Sequence, residues 1–90
     1  MIEIIQHKVG PNNRGGLAIL ATHKKGDSFI TVVTEPCSFK DSYCKKIAVQ
    51  YLRLNMELGR FIRLPINPER RNKVNHRDLR DHVRMIFENT

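Results

Sequence analysis

Lys73, Arg77, Arg80 and Arg84 stand four, three and four residues apart near the end of a 90-residue chain. On an α-helix that spacing gathers the cations into one strip. Cations in a row do not by themselves make or break bonds; held together, they neutralise nucleic-acid phosphates or an acidic protein surface. The closing segment NPERRNKVNHRDLRDHVRMIFENT carries six Lys or Arg between Arg70 and Arg84, so Arg70 and Arg71 lead into the strip. The same row also fits a plain solvated helix face. In that reading Arg77 pairs with Asp81 and Asp78 helps His82 hold a proton, each worth about 0.2–0.5 kcal/mol. Arg80 and Arg84 are like charges four apart and repel by a similar amount, which a bound anion would relieve.

The other reactive residue types do not assemble into a centre. HRDLRDH contains the letters of a kinase catalytic loop, but the chain is too short for a kinase and has no Gly-rich loop, strand lysine or DFG. His76 and His82 are six apart and fall on different helix faces. Asp78 and His82 have the four-residue spacing of helical metal ligands, but two ligands do not make a site. Cys37 and Cys44 would need His7 or His23 to hold zinc and lack the C-x-x-C spacing, so they read as buried thiols. GPNNRGG has the glycines of a phosphate loop without its Lys-Ser/Thr or its following helix, and reads as a hairpin connection. No catalytic residue, metal site or cofactor is expected. Trp is absent, and most of the four Phe and two Tyr sit at core-like positions, with Phe29 and Phe61 as exceptions. Nucleic acid would therefore be held by its backbone rather than by stacked bases.

The elements that position these residues follow from the pattern of apolar positions. MIEIIQHKV reads as a first strand. GLAILATH, apolar on both faces, reads as a central second strand, and after the turn HKKGDS, SFITVVTE reads as a third. The period changes after Pro36. Ser38 and Asp41 resemble a capping box, predicting a helix from about Phe39 or Lys40 to Leu58, stopped by Gly59. Its apolar face is broad: Tyr43, Cys44, Ile47, Ala48, Tyr51, Leu54 and Leu58, widened by Val49, Leu52 and Met56. Lys46, Gln50, Arg53 and Glu57 form its polar strip. A helix this apolar needs cover beyond one sheet, from the C-terminal helix or from a second copy of the chain. If both helices lie on the same side of the sheet, Lys40, Lys45, Lys46, Arg53, Arg60 and Arg63 extend the basic patch. FIRLPI reads as a short edge strand, because Pro65 cannot donate to a ladder.

Asn67-Pro68-Glu69 is a helix start, and Asn75 with Asp78 is a second one, so the last helix is expected to break near Asn72–Asn75. Leu79, Val83, Ile86 and Phe87 supply its buried face. The fold class is therefore α+β: a three- or four-stranded antiparallel sheet packed against a long middle helix and a C-terminal helix, in one domain spanning 1–90.

Composition narrows the function classes. With 40% hydrophobic and 28% charged residues the chain is a folded globular one, and ninety residues leave little room for an active-site cavity. No apolar run is long enough to span a bilayer, and an acid occupies the N-terminus where a signal peptide is positive, so a cytoplasmic protein that does not enter the membrane is expected. The net charge of +7 is uneven: residues 1–39 hold four basic and three acidic side chains, residues 40–90 twelve and six. Charge concentrated this way calls for nucleic acid or an acidic protein surface as partner.

The segment TVVTEPCSFKDSYCKKIAVQYLRLNMELGR, with its strand, Cys-Ser-x-Lys-Asp-x-aromatic-x-Lys-Lys-Ile, helix and Gly-Arg, resembles a segment of small accessory proteins encoded by tailed bacteriophages and mobile elements. It covers about a third of the chain. Ala48 stands where the pattern has Gly, and no functional residue is carried over. The resemblance implies a setting in which small proteins are binding factors, or inhibitors of host and defence complexes, and seldom enzymes. Two functions are thus expected to compete: backbone binding of nucleic acid, and docking as an inhibitor or adaptor on a host or defence complex, at a surface that normally holds nucleic acid. Self-association into a homodimer through the apolar middle helix is expected under either.

Overall fold

The strand around which the domain is built is β2 (Arg14–His23), whose run Ala18–Thr22 has no polar face to give to water. In the computed structural model, which describes every residue from Met1 to Thr90, β2 pairs antiparallel with β1 (Ile2–Val9) and with β3 (Phe29–Ser42). A short β4 (Ile62–Pro65) joins the outer side of β3, giving a four-stranded meander in the order β1-β2-β3-β4. The domain also holds α1 (Lys45–Glu57) and α2 (His76–Glu88), each of 13 residues. Neither helix is long and apolar enough to cross a membrane.

Alternation along the strands divides the core in two. Ala18, Leu20 and Val33 point to one face, where they meet Tyr43, Ala48 and Leu52. Ile19, Ala21, Ile30 and Val32 point to the other, where they meet Leu79 and Val83. The sheet therefore lies between the helices, with α1 on one face and α2 on the other. The condition under which the basic residues of the middle helix would extend the C-terminal row is not met: Lys46 and Arg53 are separated from α2 by the sheet. The reason lies in β2, since a strand apolar on both sides needs a cover on each.

The middle helix starts later than its sequence predicts. β3 continues past Pro36 to Ser42, and α1 begins at Lys45. Pro36 is tolerated because β4 pairs with β3 only as far as Val32, which leaves that part of β3 unpaired on its outer side. The Ser38–Asp41 capping box does not form; the Ser38 hydroxyl instead accepts a hydrogen bond from the Lys40 backbone N–H at 3.2 Å. Gly16 pairs with Cys37 and Arg14 with Ser42, so Ser38–Asp41 bulge outward from the ladder. Two glycines make this possible. Gly15, at φ +68°, runs so close to the Phe39 backbone that a Cβ would meet it at 2.7 Å; one on Gly16 would meet the Lys8 carbonyl at 2.4 Å. Tyr43 is buried and its hydroxyl hydrogen-bonds His7 Nδ1 at 2.7 Å, joining the end of β3 to β1.

The broad apolar face of α1 splits accordingly. Ala48 and Leu52 are buried, whereas Ile47, Tyr51, Leu54 and Leu58 remain exposed. The C-terminal helix cannot cover them from the far side of the sheet.

Candidate nucleic-acid interface

The placement of α2 begins with its N-terminus. Asn67 caps a short 3-10 turn over Pro68–Arg70 by accepting from the Glu69 N–H at 3.0 Å, and the chain then turns before starting again. Asn75 and Asp78 form a reciprocal capping box, each side chain accepting from the other's backbone N–H at 3.0 Å. The predicted break at Asn72–Asn75 is present, and it moves Lys73 out of the helix into the preceding turn. Lys73 is therefore not part of the strip.

From Asn75, the helix runs across β1 and β2, burying Leu79 and Val83 and partly burying Ile86 and Phe87 against the sheet. That packing turns the flank carrying Arg77, Arg80 and Arg84 towards the open edge of the sheet at β1. A groove of ≈ 430 Å³ forms there, lined by Gln6, Arg77, Arg80, Asp81, Arg84 and Phe87. Gln6 was not singled out from sequence, yet the signal was available: Ile2 and Ile4 pack against α2, so period-two alternation places Gln6, and then Lys8, on the same face.

The ion pairs decide how much of this charge is free. Arg84 reaches Asp81 at 3.2 Å, so Asp81 is taken by Arg84 rather than by Arg77. Arg77 and Arg80 have no carboxylate partner. The Arg84–Asp81 pair is solvent-exposed and worth at most about 1 kcal/mol, which a phosphate can displace. Guanidinium groups suit that exchange because they present paired donors to phosphate oxygens.

The remaining expected site residues do not join them. Arg70 is held by Asp78 at 2.9 Å. Arg71 lines a separate hollow of ≈ 210 Å³ with Met1, Ile2 and His23. Arg53 makes two hydrogen bonds to Glu3, at 2.7 and 3.2 Å, on the α1 face of the sheet, where Lys46 also lies. Of the two histidines of α2, His82 makes its hydrogen bond from Nδ1 to the Asp78 backbone carbonyl at 2.8 Å, while Asn75 and Arg70 engage the Asp78 carboxylate directly.

Those contacts hold the Asp78 carboxyl below its ordinary value of 3.8, chiefly through the backbone hydrogen bond from Asn75, with burial opposing and Arg70 and His82 assisting. A depressed carboxyl contributes stability that is present above the unfolded value and lost as pH falls through the folded one. Asp78→Asn should therefore melt at a lower temperature than the parent at pH 7, and thermal scans should show the difference shrinking below about pH 4.

No three of the His, Cys, Asp and Glu side chains come together as a metal site. Cys37 is half-buried and Cys44 exposed rather than buried, and both line a ≈ 260 Å³ hollow between β3 and α1. Phe29 and Phe61 are half-buried, and the Arg63 guanidinium sits over both rings, 4.7 and 5.5 Å from their centroids.

Compared with known proteins, the chain matches no protein-family model, no curated protein and no solved structure.

Proposed function

We propose that this chain is a small, non-catalytic binding factor that holds nucleic acid by its backbone phosphates in the groove between α2 and β1. Arg77, Arg80 and Arg84 supply the charge, Gln6 supplies a neutral hydrogen-bonding side chain, and Lys8 continues the row along β1. The observation that carries this reading is that Arg77 and Arg80 face an open groove with no carboxylate partner, on a helix whose neighbouring face is packed against the sheet. The setting is cytoplasmic, as an accessory protein of a phage or mobile element, and self-association through the exposed side of α1 leaves the arginine row free.

A second reading is an inhibitor or adaptor that docks on an acidic protein surface, as an anti-defence protein would. It is favoured by one feature: β1 pairs on one side only, so its outer edge, running beside the arginine row, can accept an added strand.

Titration of labelled duplex and single-stranded DNA and RNA at two salt concentrations separates the two. Three phosphate contacts give a slope of log affinity against log salt of about −2.7 on duplex, a loss of about 40-fold between roughly 50 and 200 mM salt, with little dependence on sequence. Absence of binding to every nucleic acid at low salt would refute the first reading and leave the second.

A further inference from the structure

On α1 and its C-cap, Ile47, Tyr51, Leu54 and Leu58 are 51%, 51%, 46% and 55% exposed, and they follow one another at spacings of four, three and four. That is the spacing of the seam by which one helix packs along another, and here it runs about 17 Å. The helix already buries Ala48 and Leu52 against the sheet, so the seam is an additional face.

The charges beside the seam say what covers it. Lys46, Gln50, Arg53 and Glu57 lie along one flank of it. The base at the N-terminal end and the acid at the C-terminal end both oppose the dipole of their own helix: α1 has no acid in its first turn and no base in its last. Neither Lys46 nor Glu57 has an ion-pair partner within the chain, and Arg53, between them, is committed to Glu3. A two-fold axis perpendicular to α1 brings the same flank of two copies together with their ends exchanged. Each Lys46 then faces the partner subunit's Glu57, and each helix end meets the opposite end of the other dipole. A parallel pairing would instead set this flank against the opposite one and leave both charges unmatched.

We infer that the protein forms a homodimer through antiparallel packing of α1 against α1 of a second copy, with Ile47, Tyr51, Leu54 and Leu58 as the seam and two symmetric Lys46–Glu57 pairs fixing its direction. A stable dimer buries roughly 800 Å² on each partner. The seam supplies the centre. The hollow bounded by Ile47, Tyr51 and the unpaired side of β3 widens it, as does Phe39, 74% exposed on the bulge between two residues that line that hollow. The interface lies on the opposite face of the sheet from the arginine row, so two copies of a +7 chain meet without opposing their most basic surfaces.

The test is molecular mass in solution without nucleic acid, by sedimentation or light scattering over micromolar to millimolar protein, so its outcome is independent of any nucleic-acid binding. The parent is expected to be a dimer at the upper end of that range, and Leu54→Glu a monomer with unchanged circular dichroism. Lys46→Glu and Glu57→Lys each give their own helix the sign its dipole favours, so the fold is not at risk. Each should nonetheless weaken the dimer by about tenfold, and the double swap should restore it. A monomeric parent at millimolar concentration, a Leu54→Glu variant that dimerises as the parent does, or a double swap no tighter than the single ones would overturn the inference.

Discussion

Replacing Arg77, Arg80 and Arg84 together with Ala should remove nucleic-acid binding at physiological salt while leaving the fold and its melting temperature nearly unchanged. The three side chains are exposed and flank the packed face of α2 without contributing to it, since the buried residues of that helix are Leu79 and Val83. Alanine is also the best helix former, so the backbone gains from each change. Two electrostatic effects oppose each other: repulsion between Arg80 and Arg84 disappears, and Asp81 loses its partner. Both are exposed interactions of a few tenths of a kcal/mol, so stability should stay within about 0.5 kcal/mol of the parent. Binding behaves differently because the contacts act in concert. Each lost phosphate contact lowers the salt slope by about 0.9 on duplex or 0.7 on a single strand, and three of them remove nearly the whole slope. Anisotropy titrations paired with thermal melts report both quantities. A variant that binds as tightly as the parent at low salt would make the row a solvated helix face and nothing more.

Truncating either helix's main anchor should have the opposite profile, a large stability loss. Leu52 of α1 and Leu79 of α2 are both fully buried, but in separate clusters on opposite faces of the sheet. Leu52→Ala and Leu79→Ala should each cost about 2–5 kcal/mol, from lost transfer free energy and the cavity left behind. That is a large fraction of the roughly 5–15 kcal/mol that holds a domain together, so the double variant should be largely unfolded. Where each single variant still folds, urea unfolding of milder changes at the same positions, Leu52→Val and Leu79→Val, should add without coupling, because the two sites share no neighbour. Marked non-additivity would contradict a core divided by the sheet.

Much of this architecture was legible along the chain, and the parts that were not share a cause. The isoleucine-rich start of IEIIQHKV, the two-faced apolarity of LAILAT and the second helix start at Asn75 are local signals, and each corresponds to an element of the fold. The start of α1 was misplaced because Pro36 and the Ser38–Asp41 spacing carry the local marks of a helix boundary. Pairing with β2 across the Gly15–Gly16 bulge keeps the segment extended to Ser42 instead. The side of the sheet that each helix takes is likewise a tertiary property, although the burial of both faces of β2 implied one helix on each. For the proposed interface, the spacing of Arg77, Arg80 and Arg84 places them together, and all three line one groove. Lys73 was lost to the turn, Arg70 to Asp78 eight residues on, Arg53 to Glu3 on the first strand, and Gln6 was missed because a neutral residue on the first strand gives no charge signal.

The place of binding can be read directly from an NMR titration of isotopically labelled protein with a short duplex, following the Arg Nε–H and Gln side-chain amide signals. The account predicts saturable shifts at Arg77, Arg80, Arg84 and Gln6 that reverse on adding salt, with Arg53 and the backbone amides of α1 unmoved. Shifts centred on α1, or on the Phe29–Arg63–Phe61 face, with the α2 arginines silent, would contradict it.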